Sequence, residues 1–447
     1  MSDLHLGWTL GSIAERLGAT VIGEPSTIVQ SVSIDSRTDL EGALFVALVG
    51  ERHDGHAFAD RAMEAGASAV VVNLGSDVLA TPRLEVADTG ASLLELAAMR
   101  RDELDVPVVA ITGSTGKTST KDLIAAGIRG SWSSPRSFNN EVGVPLTVLA
   151  TPADATALVL EVGSRGPGHI RWLAPAVRPD VSVITNLGVV HLETFGSEEG
   201  LADAKYELIE MLARNGTAVL PVDEPRLDRN SDLRTITFGI DGGDVSVSDL
   251  HIDDDGRPTF RLSVEGTSRE VRLRLAGGHQ AANAAAAAAV AVALDLDLAE
   301  FVAGMEHTTG SDWRMDVHRG VITVVNDAYN ANPQSVAAAL ATVSRMSGNR
   351  RIAVLGPMAE LGPVCEAEHR AMGALARTLG FAAIVVVGPD HGYRLGGGDL
   401  VVNATDLRDA ADTLRAVVEP GDVVLVKASR SAGLERLALD LIEETAP

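Results

Sequence analysis

From about Val106 onward, short aliphatic and β-branched runs alternate with longer Ala-rich stretches. The runs Val106–Thr112, Ala157–Val162, Val181–Thr185, Ile322–Val325, Arg351–Leu355, Ile384–Val387 and Val423–Val426 read as strands. Most are bounded by Gly, Pro, Asn or Asp. A short continuous apolar run suits a parallel strand covered on both faces. Alternation of such strands with helices predicts doubly wound α/β sheets. Over Val245–Leu275, apolar and polar residues alternate, with a turn signal at Asp254-Asp255-Gly256. That pattern predicts an antiparallel insertion in the central domain. The first hundred residues show short strands and a helix around Ala57–Ala65, which predicts a small mixed domain. Breaks fall near Asp102–Pro107 and Thr308–Trp313. No internal repeat is visible, and Ala284–Ala289 reads as a close-packed helix.

The segment Val108-Val109-Ala110-Ile111-Thr112-Gly113-Ser114-Thr115-Gly116-Lys117-Thr118-Ser119 carries the sharpest chemical signal. A buried strand enters a Gly-containing turn, then meets Lys, two hydroxyl residues and a predicted helix over Thr120–Ile128. Gly113 and Gly116 let backbone N–H groups face an anion. The helix start adds a positive dipole end. Lys117 supplies a point charge for phosphate oxygens, and Thr118 a hydroxyl suited to Mg²⁺. The spacing is G-x-x-G-K-T; Ile111 stands where G-x-x-x-x-G-K-[ST] has its first Gly.

A nucleotide phosphate needs Mg²⁺, and Mg²⁺ needs oxygen ligands. Glu161 ends the apolar run Val159-Leu160-Glu161, while Asn186 and His191 follow the run that ends at Thr185. Ligands of an open parallel sheet bind beyond the carboxyl ends of its strands, so Glu161 and His191 can both approach the Lys117 loop. Imidazole is a poor Mg²⁺ ligand, so His191 is expected to act through water. Lys205, in Ala204-Lys205-Tyr206-Glu207, reads by itself as a surface lysine on a helix.

Charge changes the picture. The chain has 37 basic and 61 acidic residues, a net charge of −24, so it repels nucleic acid and anionic lipid. A bound polyanion therefore needs a local cluster of cations and N–H groups. Aromatics are 3%, too few for a base-stacking platform. The one cysteine, Cys365, excludes an intramolecular disulfide and reads as a spectator, in keeping with a reducing compartment. Residues 1–5 show no secretory signal, and the longest low-polarity stretch, Ala284–Leu294, is far below the ~20 residues of a membrane span. A cytoplasmic protein without membrane insertion is expected. His5, His53 and His307 show no ligand spacing, and His251–Gly256 reads as a β-turn.

With these residues in view, the chain resembles the Mur ligases, which build the peptide of the peptidoglycan precursor. The loop Thr112–Ser119 is similar to their phosphate loop. So are Ser137-Phe138-Asn139-Asn140-Glu141-Val142-Gly143-Val144-Pro145, Glu161-Val162-Gly163-Ser164-Arg165-Gly166-Pro167-Gly168-His169-Ile170 and Asn326-Asp327-Ala328-Tyr329-Asn330-Ala331-Asn332-Pro333 to other family segments. Asp35-Ser36-Arg37 with Asp54-Gly55-His56 resembles the family's uridine-diphosphate-sugar domain. The resemblance covers nearly the whole chain. It implies an α/β fold of three domains: a mixed UDP-sugar-binding domain over 1–105, a central P-loop-type doubly wound ATP-binding domain over 106–310, and a Rossmann-like α/β domain over 311–447.

The resemblance also implies roles. Gly113, Ser114, Thr115, Gly116, Lys117, Thr118, Ser119, Asn283, Arg314, Asp327, Asn330 and Asn332 would bind ATP, with Asn283 on the adenine. Thr118, Glu161 and His191 would hold Mg²⁺, and Lys205 would carry a carbamate. Lys117, Glu161, His191 and Arg314 would serve the chemistry. Ser36, Arg37, Asp54, His56, Asn139, Asn140 and Arg165 would bind substrate. The implied partners are ATP, UDP-N-acetylmuramoyl-tripeptide and D-alanyl-D-alanine, handled by a monomer. Gln280, Pro357 and Ala428 depart from the usual family residues. The expected reaction activates a carboxylate as an acyl phosphate and then forms an amide, with the second and third domains closing around ATP at hinges near 102–107 and 308–313. Two other readings stay open: a sister amide ligase adding the third residue or a folate glutamate, and a nucleotide-gated ATPase that forms no amide.

Overall fold

The protein is described here from a computed structural model covering residues 6–188, 195–229 and 232–446. Among the described residues, three sheets of five or more strands organise it, lying within residues 20–86, 108–272 and 316–427, beside a two-stranded pairing of Trp8–Thr9 with Ile28–Val29.

The central sheet has nine strands. An interior strand, Val108–Thr112, is buried along its whole length. It runs parallel to Leu158–Glu161 on one side and Val181–Ile184 on the other. Burial of each of its Val and Ile side chains contributes about 1.5–3 kcal/mol. The register aligns Glu161 with Ile111 and Ile184 with Thr112. Three strand ends therefore finish level, and the loops that follow emerge side by side. That is the crevice position at which open α/β sheets take ligands.

The antiparallel segment expected over Val245–Leu275 is present, and it extends the main sheet. Its strands Val245–Ile252, Pro258–Val264 and Thr267–Arg272 are antiparallel to one another, yet the first pairs parallel with Arg234–Ile240. The helix Gln280–Ala293 lies across this sheet, with Ala284–Ala291 buried. Its methyl side chains add volume without rotamer entropy, which suits a helix pressed against a sheet.

In the first sheet, strands run in the order Thr20–Ile22, Arg83–Val86, Ala69–Asn73, Ala43–Val46, Ser31–Ser33. Only the first pairing is antiparallel. The helix Thr89–Glu103, capped by the Asp88 carboxylate, ties this sheet to the next. Its Leu93, Leu96 and Ala97 share one core with Val108, Val144 and Leu158.

The third sheet has six strands, parallel except for the edge hairpin Asp316–Arg319 with Thr323–Asn326. The chain enters it through Trp313 and Met315, both left-handed, at φ 59° and 51°. The predicted turn at 253–256 meets this third unit: Arg319 pairs with Asp255, and the Ser347 N–H donates to the Asp254 carbonyl at 3.2 Å.

Candidate active site

The predicted strand–turn–helix is present, with the helix spanning Lys117–Gly127. Gly113 has φ 147°, and a Cβ there would stand 1.9 Å from Thr185 Oγ1. Gly116 has φ 79°, and a Cβ there would stand 2.5 Å from Asn283 Oδ1. Both positions exclude larger residues by approach as well as by conformation.

The loop is braced from the next strand end. Asn186 accepts the Thr115 N–H at 3.0 Å and donates to Thr115 Oγ1 at 2.6 Å. Its carbonyl accepts the Ser114 N–H at 3.1 Å. Thr185 Oγ1 donates to the Thr115 carbonyl at 2.5 Å. The Gly188 N–H donates to Ser114 Oγ at 2.9 Å. The N–H groups of Ser114 and Thr115 are therefore used inside the protein. The helix start at Gly116–Ser119 keeps N–H groups that no intrahelical carbonyl can accept. Asn186 braces the loop through its side-chain amide and its backbone carbonyl.

Lys117 Nζ donates to the Gly113 carbonyl at 2.7 Å, folding back over the loop. Burial lowers its affinity for a proton, the Glu161 charge raises it, and Arg314 lowers it again. An arriving phosphate would replace the carbonyl as the better partner for this ammonium.

Glu161 is 1% exposed, a buried carboxylate at the strand end. Thr118 Oγ1 donates to its Oε2 at 2.7 Å, and Asn139 Nδ2 to its Oε1 at 2.7 Å. Ser137 Oγ lies 3.1 Å from Thr118 Oγ1. A carboxylate beside two hydroxyls at a phosphate loop is an all-oxygen donor set of the hardness Mg²⁺ requires. Among the described residues no three His, Cys, Asp or Glu side chains converge, so such an ion would depend on phosphate and water for its remaining ligands. His191 lies outside the described residues.

The third unit supplies the opposite wall. Arg314 Nη2 donates to Ser137 Oγ at 2.8 Å, across the gap between the two units. Asp327 lines the cleft, but its carboxylate is committed: Oδ2 accepts from Lys427 Nζ at 2.6 Å and Oδ1 from the Met315 N–H at 3.1 Å. Lys427, 2% exposed, also donates to the Asn330 carbonyl at 2.8 Å. Asn332 caps the helix Pro333–Arg345 through Ser335, so its side chain is used locally. Asn283 donates to Gln280 Oε1 at 2.9 Å, which turns its own Oδ1 toward Gly116. Together these residues line one cleft of about 760 Å³.

Lys205 corrects the surface reading. It is 4% exposed, and burial with the nearby Lys117 charge brings its pKa down to about 7. Its Nζ lies 5.9 Å from the Phe195 ring centre.

The substrate candidates fall apart into groups. Asp54 and His56 line a second hollow, on the first sheet. The His56 ring is held at both nitrogens, by Asp54 at 2.6 Å and by the Asn73 N–H at 2.8 Å. Ser36 is buried and Arg37 chelates Asp35; neither lines that hollow. Asn139 belongs to the nucleotide cleft, Asn140 Oδ1 accepts the Gly143 N–H at 2.8 Å, and exposed Arg165 pairs with Glu141. Sequence reasoning missed Tyr329, Gln334 and Lys427 as cleft residues. Lys427 carried a weak signal, as a cation ending an otherwise apolar strand.

Cleft, phosphate loop and domain-bridging arginine define a nucleoside-triphosphate enzyme whose site forms between two α/β units. Family profiles agree: "Mur ligase family, catalytic domain" matches residues 28–102, "Mur ligase middle domain" 111–291, and "Mur ligase, glutamate ligase domain" 313–430. The UDP-N-acetylmuramoyl-tripeptide–D-alanyl-D-alanine ligase of Mycobacterium tuberculosis is 36% identical, over 98% of both chains. The crystal structure of MurF from Acinetobacter baumannii superposes with a TM-score of 0.90 at 29% identity, covering 98% of this chain and 100% of that one. MurF ligase from Thermotoga maritima, solved in complex with ADP, superposes at 0.83 with 29% identity, covering 93% and 97%. The chain belongs to the Mur ligase family and is an ATP-dependent ligase. No described helix is long and apolar enough to cross a membrane.

Proposed function

We propose that this protein joins D-alanyl-D-alanine to the terminal carboxylate of UDP-N-acetylmuramoyl-tripeptide at the expense of ATP. The name of its 36%-identical, full-length relative supports the choice of substrates. The observation that carries the chemistry is the Arg314–Ser137 contact of 2.8 Å, which sets a third-unit cation beside Thr118 and Glu161.

A carboxylate is a poor electrophile. Its oxygen attacks the γ-phosphorus, the bond to the β-phosphate oxygen breaks, and ADP leaves. The dipeptide amine then attacks the acyl carbon, inorganic phosphate leaves, and the amine loses a proton. Two anions meet in the first step, inside a chain of net charge −24. Lys117, Arg314 and the free N–H groups of the helix start neutralise that charge where it gathers. Bound at Thr118 and Glu161, Mg²⁺ would supply Lewis-acid polarisation of the phosphate. Asn283 would face the base, and the two units would close on ATP about the linkers near 102–107 and 308–313. The hollow holding Asp54 and His56 would take the uridine end of the sugar nucleotide.

A lysine whose pKa is about 7 has about half of its molecules in the neutral form at pH 7. A neutral amine adds CO₂, releasing one proton and giving a carbamate. At Lys205 this would replace a buried cation by an anion suited to the same metal.

The test supplies ATP, D-alanyl-D-alanine and either the lysine or the diaminopimelate form of the UDP-muramoyl tripeptide. ADP release and product mass are measured. One amide product per ADP is expected. ATP turnover with no amide product would leave a nucleotide-gated ATPase instead.

A further inference from the structure

Arg314 reaches the phosphate side of the cleft, and a stack of side chains stands behind it. Its guanidinium lies over the Tyr329 ring, 4.1 Å from the centre. On the same aromatic group sits Arg430, at 5.9 Å. Arg430 also lies 4.4 Å from the Trp313 ring centre and pairs with Glu435 at 3.2 Å. Trp313, Arg430, Tyr329 and Arg314 thus form a ladder of alternating rings and guanidinium groups. Arg314 Nε is buried and has no hydrogen-bond partner. With only Nη2 bonded to Ser137, stacking is the other contact that fixes the plane of this side chain.

The ladder joins three stretches of chain. Trp313 and Arg314 come from the entry linker, held in shape by the Asp327 contact to the Met315 N–H at 3.1 Å. Tyr329 follows the strand Thr323–Asn326, and its N–H donates to the Trp313 carbonyl at 3.2 Å. Arg430 follows the strand Val423–Lys427. Tyr329 and Arg430 follow strands of the third unit's sheet, whereas Ser137 belongs to the central unit. Arg314 is therefore aimed across the cleft from a platform rigid with respect to the third unit alone.

We propose that Tyr329 is a positioning residue for the ligation reaction: its ring, backed by Arg430 and Trp313, holds the Arg314 guanidinium where the γ-phosphate arrives. This deepens the proposed function and rests on it for the identity of the reaction. The phenol hydroxyl takes no part; the face of the ring does the holding. A guanidinium over a ring face is attracted by the ring quadrupole, more strongly as water is excluded.

The test is a double-mutant cycle on the full chain, using Tyr329→Phe, Tyr329→Leu and Arg314→Ala. Tyr329→Phe keeps the ring and is expected within about twofold of the parent in kcat/KM for ATP, whereas Tyr329→Leu lowers it about tenfold, the scale of a cation–π contact. In the Arg314→Ala background, Tyr329→Leu is expected to cost less than about twofold, because nothing is left to position. Equal losses for Phe and Leu would overturn the proposal in favour of the hydroxyl. Losses that multiply in the double variant would overturn it in favour of a merely structural ring. The same cycle is read on the ratio of ATP to ADP affinity by calorimetry. That ratio reports the γ-phosphate contact without any turnover. If the parent forms no amide product, the function proposed above fails, and the affinity cycle still decides the role of Tyr329.

Discussion

The two walls of the cleft are built differently. The central wall is local: one strand, one turn and one helix place Gly113, Gly116, Lys117 and Thr118 within a few residues of each other. Its braces, Thr185 and Asn186, come from the neighbouring strand end. The third-unit wall is assembled: Arg314, Asp327, Tyr329, Lys427 and Arg430 arrive from three separated stretches and hold one another by an ion pair and stacked rings. The first wall can be ready before nucleotide arrives. The second works only when the third unit is seated, so it is the natural place for closure to control chemistry.

This difference can be broken at several points. The largest effect is expected from Lys117→Ala, which removes the phosphate-facing ammonium of the ready wall: ADP release coupled to ligation should fall by about 10³-fold. Near-normal turnover would remove that wall from the reaction. Next comes Lys427→Met, which strands the Asp327 carboxylate. Breaking a buried pair from one side costs about 3–5 kcal/mol, read as a lower melting temperature of the third unit in calorimetry. Since Asp327 also holds the Met315 N–H, nucleotide affinity should fall with it.

Arg314→Ala sharpens the comparison. It should lower kcat about 10²-fold while changing ADP affinity little, because the assembled wall acts on the γ-phosphate. Equal weakening of ADP and ATP binding would mean that both walls serve the nucleotide as a whole.

Lys205→Met offers a smaller effect with a defined pH dependence. The folded pKa is about 7, below the ordinary value of 10.5, because burial disfavours the ammonium. The unfolded chain therefore binds more protons between these values, and the parent gains stability as pH rises through that window. In CO₂-free buffer the methionine variant should melt about 2–4 °C above the parent at pH 6. The gap should close toward pH 10, and a gap independent of pH would refute the buried-ammonium account. Smallest of all, Arg319→Ala should cost under about 1 kcal/mol, since its pairing with Asp255 is half exposed. Scattering on that variant would show whether the surface contact at 253–256 restrains the seating of the third unit.

Much of the ready wall was legible in advance. A continuous apolar run reads as a buried strand, and Gly, Gly, Lys and Thr in one stretch read as a phosphate turn, because every interaction involved lies within a dozen residues. Glu161 at a strand end was legible for the same reason. The family resemblance added Arg314, Asn283 and Asp327 by position. It did not say that Asp327 would be spent on Lys427 and Met315, or that Asn332 would be spent on capping a helix.

Local order along the chain determined the central strands, the phosphate turn, the charge deficit that the cleft must offset and the family to which the chain belongs. Only the tertiary structure decided that Lys205 is buried, that Ser114 and Thr115 turn their N–H groups inward, that Val245–Arg272 extends the main sheet, and that a ladder of rings and guanidinium groups aims Arg314. The reason is physical. Propensity and periodicity report how a segment meets water and its immediate neighbours, whereas burial, hydrogen-bond commitment and stacking depend on partners tens or hundreds of residues away.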